Sequence, residues 1–452
     1  MKVTIIGGGG LRTPLVLYGL GQSNDALNID EVVLFDVDEA RMEIIARLGR
    51  EVLRQFGSPF PIRISTQLQD AVDGAAFVLN SIRVGGMAAR ALDERIALEH
   101  GLAGQETTGP GGAAMALRTV PVVLSYARTI ERVAPQAWFI NLTNPAGLIT
   151  QSLTQNTALR VIGICDTPSE LFHNIAQTLG EPQSDLWFDY AGLNHLGWIR
   201  KVSLRGQDIT SRILGDHELL RQLYPADLFD PALIETLGLI PSEYLFFYYS
   251  QRRAYNNQIR AGTTRGAELE RLNSDLFRQM QEGSDTQALS TYTAYLQQRN
   301  ASYLKLESEA LSMANAAIQR QNPFEGATGY HRIALEVMTA LTSTESRQVV
   351  VNVQNGKTIP TLSPEDVIEV PCRIDMNGAV AEPVGELPES VRGLVISVKA
   401  YERTLIRAAM SGSAATACLA MLECPIIGQW ELSRDVLQSL RGSDREFLGY
   451  LT

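Results

Sequence analysis

Two hydrophobic periods alternate along the first part of the chain. Val3-Thr4-Ile5-Ile6 and Val32-Val33-Leu34-Phe35 are unbroken, largely β-branched runs, as expected of strands buried on both faces of a parallel sheet. Residues 39–56 follow with apolar positions at helical spacing. A strand is expected at 62–66, a short helix around 70–73, and a strand at 76–80. After a long helical region, 138–141 and 161–164 complete the series of buried strands. This βαβ alternation predicts the α/β class, with a Rossmann-type, doubly wound parallel sheet. From about Phe188 the pattern changes to shorter strands (198–204, 349–354, 367–372) and long helices (285–299, 330–344), with a loop at 383–388. A prior of roughly 100–200 residues per domain suggests two or three lobes for 452 residues. The expected division is a Rossmann-type domain, 1–187, and a C-terminal α+β lobe, 188–452.

Polar residues gather where the expected strands end, the place where open α/β sheets collect ligands. The first strand runs into Gly7, Gly8, Gly9 and Gly10, followed by Leu11 and Arg12, a turn in which backbone N–H groups can approach a pyrophosphate at a helix N-terminus. The second ends at Asp36, at the distance expected of a carboxylate that binds a ribose diol. Together they point to NAD, and the acid disfavours NADP. Reading G-x-G-x-x-G from Gly7 places Arg12 at the third glycine, so the pattern does not ensure close helix–strand contact there; a glycine turn without a ligand is the alternative. Asn80 and Arg83 end the strand at 76–80 and are expected beside the cofactor. Asn141 to Asn144 and Cys165-Asp166 end two further strands.

A formal net charge of −11 argues against nucleic acid or an anionic membrane as partner. An anionic ligand must meet locally placed arginines: Arg83, Arg90 and Arg95 form one series, and Arg252, Arg253, Arg260 and Arg265 another. The four cysteines include no C-x-x-C pair, which suggests neither a disulfide framework nor a structural zinc. The chain opens directly on a strand, and no apolar run approaches the roughly 20 residues of a membrane span. A cytoplasmic location is expected.

Cys165 and His195, the latter a polar residue within Gly192-Leu193-Asn194-His195-Leu196-Gly197-Trp198, suit an open site for a divalent transition metal completed by substrate oxygens or water. A buried cysteine acting only as a small hydrophobe is the alternative. Asp166 is a candidate acid, or else the N-cap of a helix that starts before Pro168. Tyr244 lies in an aromatic-dense stretch, 238–249, that reads as core unless a cation lowers its phenol pKa.

Several segments occur together in an order that resembles family 4 glycoside hydrolases: Gly7 to Pro14; Arg83-Val84-Gly85-Gly86 to Arg90; Gly104-Gln105-Glu106-Thr107-Thr108-Gly109-Pro110-Gly111-Gly112; Asn141-Leu142-Thr143-Asn144-Pro145-Ala146; Gly163-Ile164-Cys165-Asp166; Gly192-Leu193-Asn194-His195; and Thr264-Arg265-Gly266. The resemblance implies a lactate/malate dehydrogenase-like fold, NAD and a divalent metal such as Mn²⁺, an exception to the two-carboxylate scheme of glycoside hydrolysis. It implies Cys165 and His195 as metal ligands, Asp166 as proton donor and Tyr244 as proton acceptor. Arg90, Asn144 and Arg265 become substrate contacts. The implied reaction oxidises sugar C3, removes the C2 proton, expels the aglycone from C1 and adds water, with the cofactor regenerated. Cys165 then serves as a metal-bound thiolate and not as a nucleophile.

The implied substrate is a phosphorylated disaccharide or glucoside, and the enzyme a homodimer or homotetramer. The segments 107–112 and 141–147 resemble 6-phospho-β-glucosidases. Cys165-Asp166 and His195 to Trp198 lean toward 6-phospho-α-glucosidases. The β-enzyme is the favoured reading. A 2-hydroxy-acid dehydrogenase on the same fold would need no metal, and a nucleotide-sensing protein would show no metal-dependent activity.

Overall fold

A computed structural model describes residues 1–224, 226–283, 285–307, 322–326 and 328–452. Six parallel strands form the N-terminal half of its sheet: β1 (Lys2–Ile6), β2 (Glu31–Phe35), β3 (Ile62–Ser65), β4 (Ala75–Asn80), β5 (Trp138–Asn141) and β6 (Arg160–Gly163). Their spatial order is β3-β2-β1-β4-β5-β6. Strand order reverses between β1 and β4, which opens the crevice that doubly wound sheets use for ligands. Val3, Ile6, Val32, Val33 and Leu34 are completely buried, because helices cover both faces. Helix Glu39–Arg54 starts where the Asp38 carboxylate accepts the Arg41 N–H at 3.0 Å, satisfying an orphan donor of its first turn. The long helical region resolves into helices Gly86–Glu99 and Gly109–Val133. The connection between them carries Gln105, Glu106 and Thr107 into the crevice.

The C-terminal strands are β7 (Leu186–Leu193), β8 (Leu196–Leu204), β9 (Gln207–Asp208), β10 (Ile240–Pro241), β11 (Arg347–Gln354), β12 (Val367–Asp375) and β13 (Gly378–Ala381). They form no separate sheet. β11 joins β6 antiparallel at Asn352 and Gly163, and β12 joins β7 at Glu369 and Gly192, so one sheet runs β10-β8-β7-β12-β11-β6 and onward. The junctions occupy what would otherwise be open edges with unpaired backbone groups. Asn352 Nδ2 donates to Glu369 Oε1 at 3.0 Å, joining the two junctions through buried side chains. Among the described residues, no helix is long and apolar enough to cross a membrane.

Candidate active site

The turn after β1 is built for close backbone approach. Gly7 has φ +83°, and a Cβ there would lie 2.8 Å from the Ser81 backbone; a Cβ at Gly8 would lie 2.7 Å from that of Leu34. Only glycine fits both places without displacing a neighbouring strand. The Gly7 and Gly8 amides donate to Phe35 O, and the Gly9 amide to Asp36 Oδ2 at 2.9 Å. Asp36 therefore buttresses the glycine turn from the end of the adjacent strand. Among the described residues, the Leu11 and Arg12 amides have no protein acceptor. These are the orphan donors that a helix N-terminus offers an anion. Arg12, at the third-glycine position, turns its guanidinium over the Tyr330 ring, 4.1 Å from the centroid.

Glu106 is the hub of the polar crevice. Its Oε2 accepts from Arg83 Nη2 at 2.6 Å and from Arg90 Nη1 at 2.8 Å, and its Oε1 from Asn144 Nδ2 at 3.4 Å. Burial opposes its charge, but Arg90, Arg83 and Arg12 prevail and hold the carboxyl below the usual carboxylate range. Arg90 also binds Glu94 at 2.7 Å, while Glu94 accepts the Gly266 amide at 2.6 Å. The loops after β4 and β5 are thus tied to the start of helix Arg265–Glu282. Arg265 itself donates to Ser302 O at 3.1 Å and Arg299 O at 2.9 Å, so its guanidinium is engaged by the end of helix Asp285–Ala301. Arg95 is exposed beside Glu99. Arg252, Arg253 and Arg260 line a separate cavity of about 540 Å³.

His195 sits at the tip of the two-residue hairpin between β7 and β8, with φ +61°, a backbone region that His tolerates better than most side chains. The neighbouring Asn194 pins the tip. Its Oδ1 accepts the Ala146 amide at 3.0 Å, at the start of helix Ala146–Asn156, and its Nδ2 donates to Glu369 at 3.0 Å. Burial lowers the His195 pKa to about 4, so the ring is neutral. Tyr244, in the helical turn Glu243–Leu245 after β10, stacks on the imidazole with centroids 3.8 Å apart and planes 5° from parallel. Burial raises the Tyr244 phenol, as do Glu243, Glu106 and Cys165, while Tyr303 works against them. Tyr303 in turn donates to Glu243.

Cys165 follows β6 and is buried; its thiol is raised by that burial, then by Glu369 and Asp166. Asp166 occupies the N-cap position of helix Thr167–Leu179 but makes no side-chain cap bond. Burial raises its carboxyl against the opposing pull of Arg12, Arg299 and Tyr330. Among the described residues, Asn80 Oδ1, Arg83 Nη1, Asn144 Oδ1 and His195 Nε2 are each buried without a partner. Buried polar atoms are nearly always paired, so these unpaired ones point to a ligand.

A model of the family 4 glycosyl hydrolases matches residues 2–181, and that of the family's C-terminal domain matches 190–427. The chain belongs to this family. A 6-phospho-beta-glucosidase of Escherichia coli is 29% identical to this family 4 glycosyl hydrolase, over 94% of the chain and 91% of the relative. A 6-phospho-alpha-glucosidase of Lacticaseibacillus paracasei is 26% identical over 99% and 98%. The 6-phospho-beta glucosidase of Thermotoga maritima, solved with manganese, NAD⁺ and glucose-6-phosphate, superposes with a TM-score of 0.82 at 27% identity, covering 99% of each chain.

The residues of this family 4 glycosyl hydrolase fit the metal that the family implies. His195 offers an unpartnered, buried Nε2, and Cys165 a soft donor. Among the described residues, no group of three or more His, Cys, Asp and Glu donors stands ready. Two protein donors would leave coordination positions for substrate oxygens or water.

The sequence assigns Glu106 no role; its one signal is that of an acid placed downstream of the Arg83 and Arg90 series. Thr107 and Tyr330 gave no signal, because a hydroxyl beside an imidazole or a ring beneath a guanidinium is created by the fold alone.

Proposed function

We propose that this family 4 glycosyl hydrolase cleaves 6-phospho-β-glucosides, using NAD⁺ and a divalent metal such as Mn²⁺. The observation that carries the reading is the His195 imidazole, neutral, with Nε2 buried and unpartnered, stacked flat on the Tyr244 phenol. When bound, NAD⁺ supplies a hydride acceptor at sugar C3 and the cation supplies the charge that acidifies the C2 proton. The Leu11 and Arg12 amides receive the cofactor pyrophosphate, and Asp36 receives the ribose diol. Cys165 and His195 hold the metal. Arg83, Arg90 and Asn144, preset by Glu106, meet the cofactor and sugar in the crevice. Arg265 contributes at its edge. Tyr244, whose phenol burial holds high in the metal-free protein, would accept the C2 proton only with a cation beside it to favour the phenolate. Asp166, whose carboxyl is raised by burial despite Arg12, gives a proton to the departing oxygen.

The relatives support the phosphorylated substrate. The Cys165-Asp166 segment keeps the α-anomer as a second reading. A chromogenic panel of α- and β-glucosides, with and without a 6-phosphate and supplied with NAD⁺ and Mn²⁺, separates them. The expected result is cleavage of the 6-phospho-β-glucoside alone, without accumulated NADH. Stoichiometric NADH would instead identify a dehydrogenase, and preference for the α-compound would reverse the anomer.

A further inference from the structure

Thr107 touches His195 yet has no part in the reaction proposed above. Its Oγ1 lies 2.8 Å from His195 Nδ1 and 2.8 Å from Gln105 Oε1. The same Oε1 takes the Thr107 amide at 2.5 Å and the Thr108 amide at 2.9 Å. With two backbone N–H groups aimed at it, this atom must be the oxygen of the glutamine amide and not its nitrogen. Two oxygens at hydrogen-bond distance need a proton between them, and only Thr107 has one to give. Its single hydroxyl proton therefore goes to Gln105. Toward His195 the hydroxyl can only accept, so Nδ1 carries the proton of the neutral imidazole. The ring lone pair is left on Nε2, the atom that is buried without a partner. Ring orientation is fixed from two further directions, by the hairpin tip with its φ of +61° and by the parallel Tyr244 ring.

We propose that Gln105 and Thr107 are positioning residues that lock His195 as its Nδ1–H tautomer and so present Nε2 as a ready donor to the divalent metal. The inference rests on the reading of His195 as a metal ligand. A hydrogen bond to the far nitrogen commonly sets which nitrogen of a histidine binds metal, and removing such a partner costs roughly 10–100-fold in metal affinity.

The tautomer is read first in the metal-free protein labelled with ¹⁵N-histidine. Long-range ¹H–¹⁵N correlations of His195, identified by their loss in His195→Asn, are expected to show a protonated Nδ1 and a bare Nε2. Mn²⁺ affinity is read by calorimetry. Thr107→Val is expected to weaken it about 10–100-fold and to remove the fixed Nδ1–H pattern, whereas Thr107→Ser, which keeps the hydroxyl, retains both. A proton on Nε2 in the parent, or parent-like Mn²⁺ affinity in Thr107→Val, overturns the proposal. Should Thr107→Val fail to fold, the parent spectrum decides. Parent-like Mn²⁺ affinity in His195→Asn is a different failure, since it removes His195 as a ligand and with it the metal reading, while the spectrum still reports whether Thr107 sets the tautomer.

Discussion

The imidazole of His195 and the phenol of Tyr244 lie face to face, 3.8 Å between centroids and 5° between planes. The proposed proton acceptor thus lies directly against a candidate metal ligand. Tyr244→Phe keeps the stacked ring and deletes only the hydroxyl, and turnover is expected to fall about 10²–10⁴-fold, the usual worth of a positioned base. Hydrolysis in D₂O by the parent enzyme should place deuterium at C2 of the released sugar phosphate. Product carrying only protium at C2, with no isotope effect from C2-deuterated substrate, would rule out deprotonation at that carbon.

Cys165→Ser and His195→Asn should each abolish activity at limiting Mn²⁺ while leaving the thermal midpoint near that of the parent. Asparagine is the better replacement at 195 because the site has a φ of +61° and tolerates few other side chains. Near-normal turnover of either variant at low Mn²⁺ would remove that residue from the metal site.

Asp36 accepts the Gly9 amide at 2.9 Å and the Val37 amide at 2.8 Å. Asp36→Ala removes both the expected ribose ligand and a support of the glycine turn. NAD⁺ binding should weaken by about 1–3 kcal/mol, as for loss of a charged hydrogen-bond partner. Unchanged affinity by calorimetry would mean that the ribose is held elsewhere.

Glu106 neutralises Arg83 and Arg90 together. Glu106→Gln leaves two guanidinium groups without their shared counter-charge, and a loss of about 3 kcal/mol in urea unfolding is expected, at the low end of the range for a broken buried pair because Arg83 retains some solvent contact. Since the folded-state carboxyl lies below its usual 4.5, this contribution is fully present above pH 4.5 and disappears as the pH falls through the folded value. The variant should therefore lose the part of the acid-side slope that Glu106 causes; a slope and stability equal to the parent's would show that the pair contributes nothing.

What the sequence determined by itself is local. Runs such as Val32 to Phe35 are long enough and β-branched enough to be read as buried strands, and Gly7, Gly8 and Asp36 follow them within a few positions, so strand, turn and acid could be placed without any long-range contact. The helix expected over 39–56 is observed as Glu39–Arg54 for the same reason, with Asp38 as its cap. Only the tertiary structure decided how these pieces meet. The C-terminal strands could have made their own sheet; that they continue the first depends on single pairings such as Asn352 with Gly163, which no periodicity encodes. Glu106 becomes a hub because the loop after β4, helix Gly86–Glu99 and the loop after β5 each bring it a donor, and Arg12 meets Tyr330 from a distant part of the chain. Whether His195 presents Nε2 is set by a Thr107 hydroxyl whose one proton is already committed to Gln105. Contacts of this kind follow from distances and directions in space, and a linear pattern of apolar and polar positions carries neither.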